Sequence, residues 1–328
     1  RLTPLASSDP VTWPPPTIPV LESHQYRYRS HRIWSAYEIW LGEGMDILPE
    51  HCGSKVPEGL QAWAWCLTIP GRVLERSWRP CIMIRDGNLL VDEKLIQFQD
   101  DIRAEFRWSL DRDFNVANWL ITELTSNVPQ RRTVDDLYST WASIKNEICS
   151  HDGTIAIVGA AVEIAEIEIA MGQGCKFIVA DGSGEIFSEL EHPQKGWGSV
   201  AGVVSDGDGG RGLSMSIQNG IPMIIHAHGD NRKALEELIP RVGNLPIAIT
   251  HQTPFSIDGM MNPGGFTDGD RAVCIAVSMG VDVGNIILLG TRSDIVGRFS
   301  GVTDPERKIR KLRWMKKILN ELGFSKVR

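Results

Sequence analysis

The chain has no CxxC pair among its six cysteines, Cys52, Cys66, Cys81, Cys149, Cys175 and Cys274. That absence argues against a zinc ribbon or a dense disulfide scaffold and points to reduced thiols in a cytoplasm. No apolar run approaches the roughly 20 residues a membrane helix requires, and no signal-peptide pattern opens the sequence, so a cytoplasmic location without a membrane partner is expected. An excess of basic residues is also missing: the net charge is −7 and the pI near 5.7, which argues against a nucleic-acid partner. No internal repeat of 20 to 50 residues is visible. What is present is a globular composition, 42% hydrophobic over 328 residues, enough for a sizeable core in two domains or one large one. A homo-oligomer is compatible with the sequence.

Prolines crowd residues 1–20 (Pro4, Pro10, Pro14, Pro15, Pro16, Pro19) and deny the backbone donors of a helix or central strand, which predicts an extended arm. From His24 to Trp65 the chain is rich in Trp and Tyr without a clean period, as in core or domain-contact material. Two short apolar runs around Asp86-Gly87-Asn88 predict a β-hairpin over Arg79 to Val91. Helical spacing follows over Gln97 to Asn127 and again over Val134 to Cys149, where Val134, Leu137, Trp141, Ile144 and Ile148 recur every three to four residues. The break at Ser150-His151-Asp152-Gly153 closes an expected N-terminal α+β domain, residues 21–150.

From residue 151 to 328 the pattern changes to apolar runs alternating with helical stretches. The runs are Ile155–Val158, Phe177–Ala180, Val200–Val204, Ile221–Ile225, Ile247–Thr250 and Asn285–Leu289. Short runs apolar on both faces read as buried parallel strands, and the alternation as a doubly wound α/β sheet. In such sheets ligands gather at the carboxyl ends of the strands. There the chain places Asp181-Gly182, then Asp206-Gly207-Asp208, then His226-Ala227-His228-Gly229-Asp230-Asn231. Two carboxylates two residues apart with glycine between can reach one hard cation such as Mg²⁺; a plain Asp/Gly surface turn is the bland alternative. Alternating His226 and His228 invite a zinc-hydrolase reading, although residues two apart on a strand share a face and can simply bond neighbouring loops.

Asp268 and Asp270 bracket a glycine ahead of a helix, and Arg271 could clamp a phosphate bidentately, while capping alone would account for one Asp. Gly159-Ala160-Ala161 after a strand is a glycine turn short of GxGxxG, compatible with phosphate binding at a helix start or with a simple tight turn. A terminal helix starting at Pro305 carries Arg307, Lys308, Arg310, Lys311, Arg313, Lys316 and Lys317. Such a run is ordinarily a solvated face; Lys308 and Lys311 share one side of it.

Together, Val179–Gly182, Val203–Gly209, His226–Asn231, Gly264–Ala272 and Lys308–Leu312 resemble the archaeal 6-hydroxymethyl-7,8-dihydropterin pyrophosphokinases, themselves relatives of thiamine pyrophosphokinase. The strings HAHGDN and GGFTDGDRA carry most of the likeness, which spans about residues 154–312. The chain departs from the family pattern at Gly207, where a bulky residue is usual, at Gly159–Glu163, and after Gly290, where Thr291-Arg292-Ser293-Asp294 replaces a Met-Asp pair. The resemblance implies a thiamine-pyrophosphokinase-like catalytic domain transferring the terminal diphosphate of ATP to the hydroxymethyl group of a reduced pterin, with release of AMP. It implies that Asp206 and Asp208 hold Mg²⁺ with Asp181 as a third acidic contact. His228, Asp230 and Asn231 would organise the triphosphate, and Lys308 and Lys311 its charge. Asp268, Asp270 and Arg271 would face the pterin or the transferred group, and Gly159 the nucleotide. Three alternatives remain open at this level: thiamine as the acceptor, a zinc-dependent hydrolase using His226 and His228, and a non-catalytic nucleotide-binding module.

Overall fold

Every strand of the main sheet is a run of four to six residues, and almost every position along each run is buried on both faces. A computed structural model describes residues 81–83, 90–126, 131–301 and 304–327. The expected Pro-rich arm and the aromatic-rich stretch from His24 to Trp65 lie outside the described residues. The first described element is an antiparallel pair, β1 (Cys81–Met83) and β2 (Leu90–Asp92), with Ile82 opposite Val91. This is the expected hairpin, its turn outside the described residues.

Six strands form one all-parallel sheet: β3 (Ile155–Val158), β4 (Lys176–Ala180), β5 (Val200–Ser205), β6 (Met223–His226), β7 (Ile247–Thr250) and β8 (Ile286–Leu289). Their order is β7-β6-β5-β4-β3-β8. The chain therefore steps outward from β3 to β7 and then crosses back to lay β8 against the other side of β3. That reversal leaves a switch point between β3 and β8, where parallel α/β sheets open a crevice beyond the strand ends. The fold is doubly wound, as its strand-helix alternation predicts.

Period-two alternation sorts each strand into two cores. Ala156, Val158, Phe177, Val179, Val203 and Ile225 join one cluster. Helices α4 (Ile164–Gly172), α6 (Gly210–Gln218) and α7 (Arg232–Val242) supply it with Ile167, Leu213, Leu235 and Leu238. Their neighbours Ile155, Ile157, Ile178, Val204 and Ile224 join the other. There α3 (Val134–Cys149), α8 (Asp268–Ser278) and α9 (Pro305–Glu321) contribute Trp141, Ile144, Ile275, Met315 and Leu319. Each fully buried aliphatic or aromatic side chain of this kind stabilises the fold by roughly 1.5–3 kcal/mol. A short α5 (Pro193–Trp197) follows the 3₁₀ segment Asp181–Glu189; neither is evident from the sequence pattern.

Before the sheet come α1 (Glu93–Phe106) and α2 (Leu110–Ser126), then α3. Helix α3 spans the predicted residues because Thr133 and Asp136 cap it reciprocally, at 2.7 and 3.1 Å, an arrangement in which losing the Thr oxygen costs about 1 kcal/mol. Its buried face is Leu137, Trp141, Ile144 and Ile148. The boundary expected near residue 150 falls in the turn between α3 and β3, and helices before it feed the same cores: Leu120 and Leu124 of α2 join the first, Trp141 and Ile148 the second. No helix among the described residues is long and apolar enough to cross a membrane.

Candidate active site

Strands β4, β5 and β6 end side by side, so the residues that follow them meet. Asp181, directly after β4, holds φ 44°, a left-handed conformation that Asp and Asn tolerate better than other non-glycine residues. The Ser205 hydroxyl donates to Asp181 Oδ1 and accepts from the Gly207 amide at 3.0 Å. Gly207 itself has φ 101°, and a Cβ there would press on Ala234 at 3.2 Å. The turn that brings Asp206 and Asp208 round together is therefore one that glycine permits and a side chain would strain. One carboxylate oxygen from each of Asp181, Asp206 and Asp208 lies within 4.8 Å of the others. Gly209 completes the nest: a Cβ there would fall 2.2 Å from Asp181 Oδ1.

Electrostatically this cluster is strained. Burial, reinforced by the charges of Asp268, Asp206 and Asp208, pushes the Asp181 carboxyl well above the usual carboxylate range. Asp268, on the first turn of α8, is raised well above it by burial and by Asp206 and Asp208, and Asp208 is raised by burial and Asp206. Burial also works against ionising Asp206, yet the hydrogen bond and charge of His228 hold its carboxyl well below the ordinary value. Like charges crowded in a low dielectric repel, and only a cation relieves them without taking up protons. Asp206 Oδ1 is buried and makes no hydrogen bond. A donor set of three carboxylates with one uncommitted oxygen suits a hard, oxygen-seeking divalent ion.

The histidines serve differently from one another. His226 is buried, its Nδ1 2.9 Å from Thr250 Oγ1 and its Nε2 3.4 Å from Gln252 Oε1; burial, then the charge of Arg271, lowers its pKa well below the ordinary value. Both ring nitrogens thus face protein partners, which does not suit the zinc reading. His228 Nε2 lies 3.3 Å from Asp206 Oδ2. Asn231 ties the loop together, donating to the carbonyls of His226 (2.7 Å) and Asp206 (2.8 Å) and accepting from the His228 amide (3.0 Å). Below the loop, buried Asp113 of α2 accepts from the Gly229 amide (2.7 Å), Gln252 (3.0 Å) and Arg103 (3.2 Å).

A crevice over the switch point is lined by Gly159, Asp181, Asp206, Asp208, His228, Asp268, Lys308 and Lys311, all from the expected set, and by His226, expected only for the zinc alternative. Four expected residues stand elsewhere. Asp270 caps α8, accepting from the amides of Phe266 (2.7 Å) and Thr267 (2.8 Å). Arg271 is fully buried beneath the crevice, donating to the carbonyls of Gly264 (2.9 Å) and Gly265 (3.3 Å); its guanidinium is a structural cation under the acidic floor rather than a clamp at the surface. Asn231 is buried in the loop just described. Asp230 lies at the rim between Arg112 (3.9 Å) and Arg307 (3.7 Å), so the carboxylate that joins Asp206 and Asp208 is Asp181 and not Asp230.

Gly159 acts through close approach: a Cβ there would come within 2.9 Å of the Gly290 carbonyl. Helix α4 begins only at Ile164, and Glu166 fills its start, accepting from the amides of Glu163 (2.9 Å) and Gly290 (3.1 Å). Its N-terminus is thereby occupied by a carboxylate and not free for a phosphate. Asp294 accepts from Arg292 Nε and Nη2, each at 2.7 Å, and does not line the crevice. Thr291 does, and its Oγ1 is buried without a hydrogen bond. Sequence reasoning assigned no role to Phe266, although it lies within GGFTDGDRA, and missed Trp108, Gln252 and Asp113, which are remote from the acidic motifs; only Trp108-Ser109-Leu110-Asp111, a helix start after an aromatic, hinted at any of those three.

The chain is similar to archaeal 6-hydroxymethyl-7,8-dihydropterin pyrophosphokinases. It is 33% identical over 130 residues to the enzyme of Methanothermobacter thermautotrophicus, covering 37% of this chain and 53% of that one. The Pyrococcus furiosus enzyme is 35% identical over 127 residues (37% and 52%), and that of Methanocaldococcus jannaschii 30% over 131 (37% and 54%). The chain thus spans about half the length of the curated relatives it matches. No family model matches it.

Proposed function

We propose that the chain transfers diphosphate from ATP to the hydroxymethyl group of 6-hydroxymethyl-7,8-dihydropterin, releasing AMP, in the biosynthesis of a folate-type or methanopterin-type cofactor. The observation that carries this reading is the gathering of Asp181, Asp206 and Asp208 at adjacent strand ends, in a crevice that also presents Lys308 and Lys311. The named activity of the relatives supports it. Asp181, Asp206 and Asp208 would hold Mg²⁺. When bound, that ion would neutralise polyphosphate charge and align its oxygens.

The chain's own groups supply positioning and further charge. Lys308 and Lys311 face the phosphates from α9, and Thr291 offers a hydroxyl at the switch point. His228 steadies Asp206 as a carboxylate, and Arg271 places a fixed positive charge below. In the reaction the acceptor's hydroxyl oxygen bonds to the β-phosphorus, and the bond from that phosphorus to the α,β-bridging oxygen breaks. AMP departs with that oxygen, and the hydroxyl proton passes to a carboxylate of the crevice. Such chemistry is chiefly orientation and charge stabilisation.

The test is incubation with ATP, Mg²⁺ and the dihydropterin, with thiamine as a parallel acceptor. AMP formed only with the pterin is the expected result. AMP with thiamine alone moves the reading to the other acceptor, and no AMP with either removes diphosphate transfer.

A further inference from the structure

Resting on that functional reading, we propose that the cleft on the far side of His228 holds the acceptor's ring. The ligand class is a planar 2-amino-4-oxo heterobicycle, stacked on Trp108 and recognised along its amino-pyrimidinone edge by the Asp230 carboxylate. The cleft has a volume of about 290 Å³, the size class of a two-ring ligand at the small end of small-molecule sites. Its wall is shared: Trp108 and His228 line both this cleft and the crevice over the acidic cluster. A ring lying here would direct a short substituent past His228 toward Asp206 while remaining outside the polyphosphate's space.

The aromatic surface is built and held. The Trp108 amide donates to the Arg103 carbonyl at 2.9 Å, just beyond a helix end closed by Arg107 at φ 57°. Phe106 stacks on the indole at 4.9 Å and 28°, and Phe266 leans on it at 5.7 Å. The indole is nevertheless half-buried only, with Lys311 and Arg307 at 5.6 and 5.8 Å from its ring. Both cations stand over the ring, where a flat, polar heterocycle would take their place against the indole.

Two carboxylates line the cleft, and their partners separate their roles. Asp113 is saturated by Gly229, Gln252 and Arg103. Asp230 faces Arg112 and Arg307 at 3.9 and 3.7 Å, longer than hydrogen bonds, so its oxygens keep acceptor capacity. A 2-amino-4-oxo pyrimidine edge offers two adjacent N–H donors, the bidentate match for a carboxylate. Adenine offers a donor beside an acceptor, which a carboxylate rejects; Asp230 therefore selects acceptor over nucleotide.

The experiment uses the full chain and the variants Trp108→Leu and Asp230→Asn, the second at an exposed position where folding is not at stake. Initial rates of AMP release are measured against pterin at saturating ATP and against ATP at saturating pterin. Quenching of tryptophan fluorescence by 6-hydroxymethylpterin, without ATP, gives binding directly. We expect each variant to raise the pterin KM about 10–100-fold, with the ATP KM within about twofold, as loss of a charge-assisted bidentate contact or a stacking partner predicts. Trp108→Leu should also shift that quenching to about 10–100-fold higher pterin concentration. Variants that raise the ATP KM instead, or change neither, overturn the placement while leaving diphosphate transfer intact. A wild-type chain that makes no AMP yet shows Trp108-dependent quenching supports the cleft and sinks the transfer; one that neither turns over nor binds the pterin overturns both.

Discussion

Replacing Asp181 by Asn separates what the acidic cluster does for the fold from what it does for the ligand. The amide is nearly isosteric, is at home at φ 44°, and can still accept from Ser205, so geometry is preserved while one charge is lost. Two fully ionised carboxylates within 4.8 Å of each other repel by at least about 3.5 kcal/mol at an effective dielectric of 20. Proton uptake caps what the fold loses: the raised Asp181 pKa means the folded chain keeps a proton that the unfolded chain releases. Stability therefore falls as pH rises from the ordinary value of 3.8 toward the folded value, by about 1.4 kcal/mol per unit. The Asp181→Asn variant, with no proton to release at this position, lacks that dependence.

Without divalent ions at pH 7.5, the variant should melt higher than wild type, and the gap should close as pH approaches 4. With Mg²⁺ the order should invert, because wild type gains a ligand-linked increment that the variant lacks. Turnover should fall at least about 100-fold. Thermal unfolding with chelator and with Mg²⁺, at three pH values, reads all of this. A variant no more stable than wild type in chelator refutes the charge crowding, and an undiminished Mg²⁺ shift refutes Asp181 as a ligand.

Two further outcomes follow from the same geometry. Lys308→Ala should raise the ATP KM about 10–100-fold, more at low ionic strength than at high, with little effect on Tm; an unchanged ATP KM would show that this lysine faces solvent rather than phosphate. Burial, then Arg271, lowers His251 from 6.5 to about 3, so its neutral form contributes stability present above pH 6.5 and lost as pH falls toward 3, by about 1.4 kcal/mol per unit. Because Asp181 pulls the other way over the same range, the reading is a difference: the stability of metal-free wild type relative to His251→Gln should be lower at pH 5 than at pH 7, and an unchanged difference would place the acid sensitivity elsewhere.

Much of this molecule is legible in one dimension because its signals are local. Buried parallel strands announce themselves as Ile155–Val158 or Val200–Val204, since both faces must be apolar. The helix over Val134–Cys149 is readable from its spacing, with its cap one residue before it. Asp206 and Asp208 are only two residues apart in the chain, so their partnership needs no tertiary information. Other residues carry ambiguous letters. Asp270 caps a helix with the same carboxylate that could have faced a ligand, and Arg271 donates to buried carbonyls with the same guanidinium that could have clamped a phosphate. Sequence cannot say which way either points.

What the sequence by itself determined is the run of strands and helices and the family likeness, because backbone propensity and binary patterning act over a few residues. Only the tertiary structure decided that Asp230 stands at the rim between two arginines, that Asp113 and Gln252 brace the histidine loop, and that Trp108 borders both clefts. Those partnerships join residues from about 25 to 140 positions apart, and a three-dimensional meeting of that kind is set by strand order and helix docking. It leaves no periodic trace along the chain.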